Sequence, residues 1–254
     1  GGGYLDGAVN LADEFLPEGA VITYTEGKNR PRRDYLATTD GAFEEVVLSV
    51  IIDGYSASAS EILAGAIQDL QRGAIVGKRS YGKGLVQEQN EWNDGSATRL
   101  TVARYYTPNG RSIQRPYESL SGPDANLPDS LIGGIDPDIN VVRDTTGVTW
   151  FFAELVHGAV LTEFAYHWRD EQYAWLSKVN ERDFSDVVSS DTLASSLRRY
   201  LGNSKVEINE KEWSRSIDRI TLRVQALIAR SLFGDQAYFR ILNQTDPFVM
   251  QARD

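Results

Sequence analysis

Residues 46–77, VVLSVIIDGYSASASEILAGAIQDLQRGAIVG, decide the fold. The aliphatic run from Val46 to Ile52 has the continuity of a strand buried on both faces. From Ala59 to Leu70, apolar residues at 59, 62, 63, 66, 67 and 70 mark one side of a helix. Gly73 closes that helix, and Ala74 to Gly77 starts a second buried strand. Strand, helix and strand at this spacing predict a βαβ unit, with a right-handed crossover expected.

Upstream, Leu5, Ala8, Val9, Ala12, Phe15 and Leu16 follow helical spacing, which Pro17 and Gly19 stop. Ala20 to Thr25 alternates as a short strand. Lys28 to Arg33, containing Pro31, reads as a basic, solvated loop. Downstream, Leu85 to Trp92 and Ser96 to Tyr106 flank Asn93-Asp94-Gly95, whose Asp-Gly signals a hairpin turn. Residues 107–140 read as loop, with prolines at 108, 116, 123, 128 and 137. After Gly147 the pattern becomes long, aromatic-rich helices. Ile217, Ile220, Val224, Leu227 and Ile228 form the clearest stripe, a core-packing pattern rather than a cofactor box. An α/β domain over residues 1–146 and a helical domain over 147–254 are expected, with no internal repeat.

Composition narrows the chemistry. A chain of 254 residues, 41% hydrophobic and 24% charged, buries a sizeable core without staples. The absence of cysteine excludes disulfides, thiolate zinc sites and cysteine nucleophiles together. Lys+Arg 26 against Asp+Glu 36 gives a net charge of −10, which disfavours a nucleic-acid partner. No apolar run approaches the roughly 18 residues a membrane span requires, and no signal-like segment opens the chain. The opening Gly1-Gly2-Gly3 reads as the middle of a longer protein.

The two histidines, His157 and His167, both fall in the helical tail. Ten residues apart, they make a poor metal pair, and a Ser-His-Asp triad would need one of them to reach a distant site. Nucleophilic chemistry here needs another base. Ser58 lies at the corner between the buried strand and its helix. There a hydroxyl sits at the sheet's carboxyl edge, beside free amides and the positive end of a helix dipole. Ser58-x-x-Glu61 is equally a capping box, and taken alone that is the better reading. Tyr81-Gly82-Lys83-Gly84 places a lysine between two glycines. Desolvation would let Lys83 act as a neutral base, although a solvent lysine in a tight turn is also common. Gln87 offers an uncharged amide that could orient the amine. Asp69, three helical turns beyond Ser58, reads first as a structural residue.

Together these residues resemble the carboxyl-terminal processing peptidases, or tail-specific proteases. The stretch from Ser56 to Asp69 resembles that family's nucleophile motif, and GKRSYGKGLVQ, Gly77 to Gln87, resembles its base motif. Residues 100–113, LTVARYYTPNGRSI, and Gly134 to Asp138, GIDPD, resemble later elements. Gly1 to Asp6 fits the end of its glycine motif, so the resemblance covers roughly residues 1–142. The helical tail is similar to extensions of Bacteroidetes-type members.

The resemblance implies an α/β fold with a crotonase/ClpP-like βαβ core, a β-hairpin and a C-terminal helical domain. It implies a serine endopeptidase with a Ser-Lys dyad, Ser58 as nucleophile and Lys83 as general base. Gln87 would orient the lysine, Asp69 would support, and the amides of Ala59 and of Gly2 or Gly3 would form the oxyanion hole. No cofactor or metal is implied. The partners would be C-terminal tails of proteins, with homo-oligomers possible through an open sheet edge, and the location the bacterial periplasm or cell envelope. The family's preceding half, with its PDZ module and the strand leading into the glycines, is not in this chain. Gly2 and Gly3 are therefore expected to fray, and efficient turnover is not expected of this chain alone. Two other readings stay open: a crotonase-like acyl-thioester enzyme, and a non-catalytic peptide-binding or scaffold relative.

Overall fold

A computed structural model of the chain describes residues 2–38, 41–116 and 133–253. It divides into two compact units, Gly1–Val142 with Gln251–Asp254, and Arg143–Met250. In chain order the first unit contains α1 (Leu5–Asp13), β1 (Val21–Gly27), β2 (Arg30–Leu36), β3 (Ser49–Ile52) and α2 (Ala59–Asp69). β4 (Ala74–Gly77), β5 (Leu85–Glu91), β6 (Ala97–Tyr106) and β7 (Ile139–Asn140) follow. One sheet has the order β2-β1-β6-β5, and the other β3-β4-β7.

The βαβ unit is present. β3 and β4 are parallel, in register from Ser49 opposite Ala74 to Ile52 opposite Gly77, with α2 between them in sequence. β7 adds a short third parallel strand, Val76 opposite Ile139, inside the stretch read as loop. Pro123 and Pro128 of that stretch lie outside the described residues. The core of this unit gathers Leu16, Ile22, Ile67, Ile75, Ile113 and Ile135, all essentially inaccessible. Each such aliphatic side chain contributes about 1.5–3 kcal/mol on burial.

Several local expectations give way. Val46 to Ile52 is not a strand buried on both faces: β3 starts at Ser49, Val47 is fully exposed and Ile51 is 43% exposed. The carbonyls of Phe43 and Val46 accept from the Arg72 guanidinium at 2.5 and 2.8 Å, so the lead-in spends its hydrogen bonds outside a ladder. β3 is also an edge strand, with β4 on one side. Lys28 and Asn29 form a solvated turn as expected, but Arg30 to Arg33 are not loop: from Arg30 onward the chain pairs with β1 as an antiparallel edge strand. Its charges and Pro31 suit an edge, where one side needs no ladder bonds. Arg32 stacks over Tyr24 at 3.8 Å and pairs with Asp34 at 2.8 Å. β1 does not alternate either, since Ile22, Thr23, Tyr24 and Thr25 are all buried. Thr23 is accommodated by donating its hydroxyl to the Tyr106 carbonyl at 2.7 Å.

Gly73 does not end α2. The left-handed residue is Gln71, at φ 54°, with Arg72 N–H donating to the Ile67 carbonyl and Gln71 N–H to that of Gln68. That is a Schellman ending with glutamine where glycine is usual. The hairpin forms as read, with Trp92 N–H donating to the Ser96 carbonyl at 2.8 Å across the Asp94-Gly95 turn.

The second unit is helical: α3 (Trp150–His157), α4 (Val160–Glu171), α5 (Tyr173–Leu176), α6 (Phe184–Val187), α7 (Ser190–Asn203), α8 (Glu210–Phe233) and α9 (Asp235–Asn243). α10 (Pro247–Arg253) follows, and its residues from Gln251 on are grouped with the first unit. Thr149, Ser189 and Asn209 cap α3, α7 and α8 by accepting backbone N–H bonds, which satisfies amides the helices leave open. Ile220, Val224, Leu227 and Ile228 of the stripe are buried with Phe164, Phe184 and Leu197, and Ile217 packs against them. Among the described residues no helix is long and apolar enough to cross a membrane.

Candidate active site

Ser58 is the N-cap of α2, held at φ 58° and ψ −116°. A side chain at positive φ is strained, at a cost of order 1–3 kcal/mol, and persists only where surroundings over-determine it. Here they do. The Ser58 N–H donates to Glu61 Oε2 at 2.7 Å, while its carbonyl accepts from the N–H groups of Glu61 and Ile62 at 2.9 and 3.1 Å. Both capping-box residues are therefore in place, and the carboxylate and backbone hold the turn.

Gly2 lies directly against it. A Cβ on Gly2 would sit 3.0 Å from both the Ser58 Cβ and the Ala57 carbonyl oxygen, an approach tight enough that a side chain there would push its neighbours by a few tenths of an ångström. The nearest neighbour of a Cβ on Gly3 would be Ala59, at 4.0 Å. Gly2, Gly3 and Ala59 thus lie close to Ser58, with Gly2 and Gly3 exposed. Gly1 lies outside the described residues. An apolar cleft of about 410 Å³ opens nearby, lined among others by Gly3, Leu11, Ile51, Ala59 and Leu63, but Ser58 does not line it.

The loop carrying Lys83 is fixed through its backbone on every side. Tyr81 N–H donates to the Ser56 carbonyl at 2.9 Å, and Gly82 and Lys83 N–H donate to the Glu61 carboxylate. The Gly82 carbonyl accepts from Arg115 N–H at 2.9 Å, and the Gly84 carbonyl from Tyr105 N–H at 2.7 Å. Gly84 N–H donates to the Gln114 side chain at 3.0 Å. Gly82, at φ 88°, takes a conformation that favours glycine, and a Cβ there would lie 2.9 Å from Arg115.

The main chains of Ser58 and Lys83 therefore reach the same carboxylate oxygen, Glu61 Oε2, at 2.7 and 2.9 Å. Desolvation of Lys83 is not found in this chain: the residue is exposed, as is Gln87, which sits where a bulge interrupts the β5–β6 register. Asp69 is not brought to Ser58. Eleven residues of helix separate them by about 16 Å, and Asp69, with its side chain only 3% exposed, pairs with Arg111 and accepts the Asn109 N–H at 2.9 Å. It braces the 107–111 turn. His157 and His167 belong to the other unit; His157 is exposed, and His167 meets Glu171 at 3.3 Å.

Sequence reasoning passed over three residues here. Glu61 was legible only as half of a capping box, although a glutamate followed by a buried helical face already places a carboxylate near the core. Ser80 and Gln114 carried no signal, because their partners lie 19 and 30 positions away.

The first unit is similar in sequence to known proteins. Residues 1–141 match the model of peptidase family S41, and residues 151–234 match a family of unknown function, DUF8443. A carboxy-terminal-processing protease of Bartonella bacilliformis is 43% identical over 113 residues, covering 44% of this chain and 26% of that protein. A carboxyl-terminal-processing protease of Synechocystis sp. is 38% identical over 114 residues, covering 45% and 26%. Among solved structures, a photosystem II D1 C-terminal processing protease aligns at TM-score 0.47 and 32% identity, covering 57% of this chain and 33% of that one. The chain thus spans about a quarter of the length of the curated relatives it matches. With more than half of its residues matching one family model, and that half holding the Ser58 turn and the Lys83 loop, the chain belongs to peptidase family S41.

Proposed function

We propose that this chain carries the catalytic core of a serine endopeptidase of the carboxyl-terminal processing type. Ser58 is its nucleophile and Lys83 its general base. The observation that carries the reading is the shared anchoring of Ser58 and Lys83 on Glu61, with Gly2 close to the serine. An uncharged Lys83 amine takes the Ser58 proton as Oγ attacks a peptide carbonyl. The amides of Ala59 and of Gly2 or Gly3 receive the oxyanion, each such donor being worth about 2.7–4 kcal/mol. The ammonium then protonates the leaving amine, and water repeats the cycle on the acyl-enzyme. Gln87 orients the amine once substrate and the rest of the protein exclude water around Lys83. Asp69 supports from the far end of α2.

The names of the relatives point to protein C-termini as substrates; a place in the bacterial periplasm or cell envelope rests on the family resemblance alone, and the dyad chemistry calls for no cofactor. The open β3 edge suits self-association. Residues 1–146 form the peptidase domain in this reading, and the helical residues 147–254 a separate accessory domain.

A fluorophosphonate probe applied to the full-length protein tests the assignment. Labelling at Ser58 is expected, abolished by Ser58→Ala and slowed about 10²–10⁴-fold by Lys83→Ala, the usual contribution of a positioned base. Absence of labelling in a folded full-length protein would overturn the proposal in favour of a non-catalytic relative.

A further inference from the structure

Glu61 has no exposed surface, yet it is a carboxylate in the first turn of a helix. Its four hydrogen-bonding partners are all donors. Ser58 N–H and Lys83 N–H reach Oε2 at 2.7 and 2.9 Å, while Ser80 Oγ–H and Gly82 N–H reach Oε1 at 2.5 and 2.6 Å. A carboxylate is acceptor-only, with about four lone-pair sites, so donor count and acceptor count match. No other side chain of this size offers that. Ser80, 2% exposed, takes part in both directions: its oxygen accepts from Ile135 N–H at 2.7 Å, leaving its own proton for Glu61. Three chain segments, the start of α2, the Lys83 loop and the 133–135 loop, therefore converge on one buried anion–hydroxyl pair.

The geometry points to Glu61, backed by Ser80, as the positioning residue that sets the separation of Ser58 and Lys83. It touches neither substrate nor the transferred proton. It acts by clamping both main chains to one oxygen, so that neither the nucleophile turn nor the base loop can drift independently. This rests on the reading of Ser58 and Lys83 as the dyad. A misplacement of about 1 Å at such a site costs about 10²-fold in rate. Glutamine at position 61 keeps the shape but brings one acceptor oxygen to a site with donors around both oxygen positions. In either orientation its NH₂ group faces the Gly82 N–H or those of Ser58 and Lys83, and the four-donor set cannot be satisfied together.

The test uses the full-length protein, a fluorophosphonate probe and amide hydrogen exchange. Glu61→Gln is expected to lower the maximal labelling rate about 10²-fold while leaving the probe's half-saturating concentration unchanged. Exchange should accelerate at Ser58, Gly82 and Lys83 and stay unaltered in β3 and β4. Ser80→Ala, which leaves three donors in place, should lower the same rate about tenfold. A folded Glu61→Gln protein that labels at the wild-type rate overturns the inference. If that variant does not fold, an undiminished rate in Ser80→Ala does so. A wild-type protein that fails to label sinks the dyad reading instead. In that case the exchange measurement alone decides, and unchanged exchange at 58, 82 and 83 refutes the clamp.

Discussion

Ser58 is held where a side chain is disfavoured, and the surrounding hydrogen bonds keep it there. Glycine carries no such penalty at positive φ. Ser58→Gly is therefore expected to be more stable than Ser58→Ala by about 1–3 kcal/mol, measured by denaturant unfolding. Equal stabilities would mean that the turn relaxes freely and stores no strain. Asp69 makes the opposite case, a residue whose worth is structural. Its nearly buried carboxylate joins Arg111 and the Asn109 N–H, so Asp69→Ala removes the ion pair and leaves the Asn109 N–H without its acceptor, while Arg111 keeps Gln68. A loss of about 1–3 kcal/mol is expected, with an unfolding midpoint at lower urea as the measurement. Unchanged stability would return Asp69 to a role in the chemistry.

Among the elements, α2 shows how a sequence signal and a backbone requirement part company. Gly73 is the obvious stop, yet the chain turns left-handed at Gln71, two residues earlier. Gln71→Gly should raise stability by up to about 1 kcal/mol, since relief of the left-handed strain exceeds the added chain entropy. Destabilisation would show that the glutamine side chain carries a compensating contact. The β3-α2-β4 unit and the hairpin were legible because each rests on local period or turn chemistry. β2 was not, because Arg30, Arg32 and Arg33 look solvated in sequence and become a strand only through the ladder with β1, where Arg32 also stacks over Tyr24. β3 was misjudged for the converse reason. Aliphatic continuity reveals hydrophobicity, whereas neighbours across a sheet are set by distant residues such as Arg72. The site divided in the same way: Ser58 and Lys83 sit in recognisable local motifs, while the contacts joining them run through Glu61 and Ser80 over long sequence separations.

At the scale of the whole chain, pH offers a readout through Tyr105. Burial first, then the neighbouring Tyr35 and Asp6, pushes its hydroxyl above the ordinary tyrosine range. The folded form thus holds that proton longer than the unfolded form. Its contribution is complete below the unfolded value of about 10 and is lost as pH climbs through the raised one. Tyr105→Phe should lose less stability than wild type between neutral and strongly alkaline pH, measured by denaturant midpoints. Parallel declines would show that Tyr105 ionises without opposing the fold. The β5–β6 ribbon carries a different lesson. β1 covers only Arg104 to Tyr106 of β6, and the outer residues of both strands are exposed. A two-stranded ribbon without a packed face has little rigidity of its own. A cantilever of this build should be stiff at its root and compliant at its tip, with Gln87 at the notch where the register breaks, so its hydrogen exchange should quicken from residue 104 outward to residue 97.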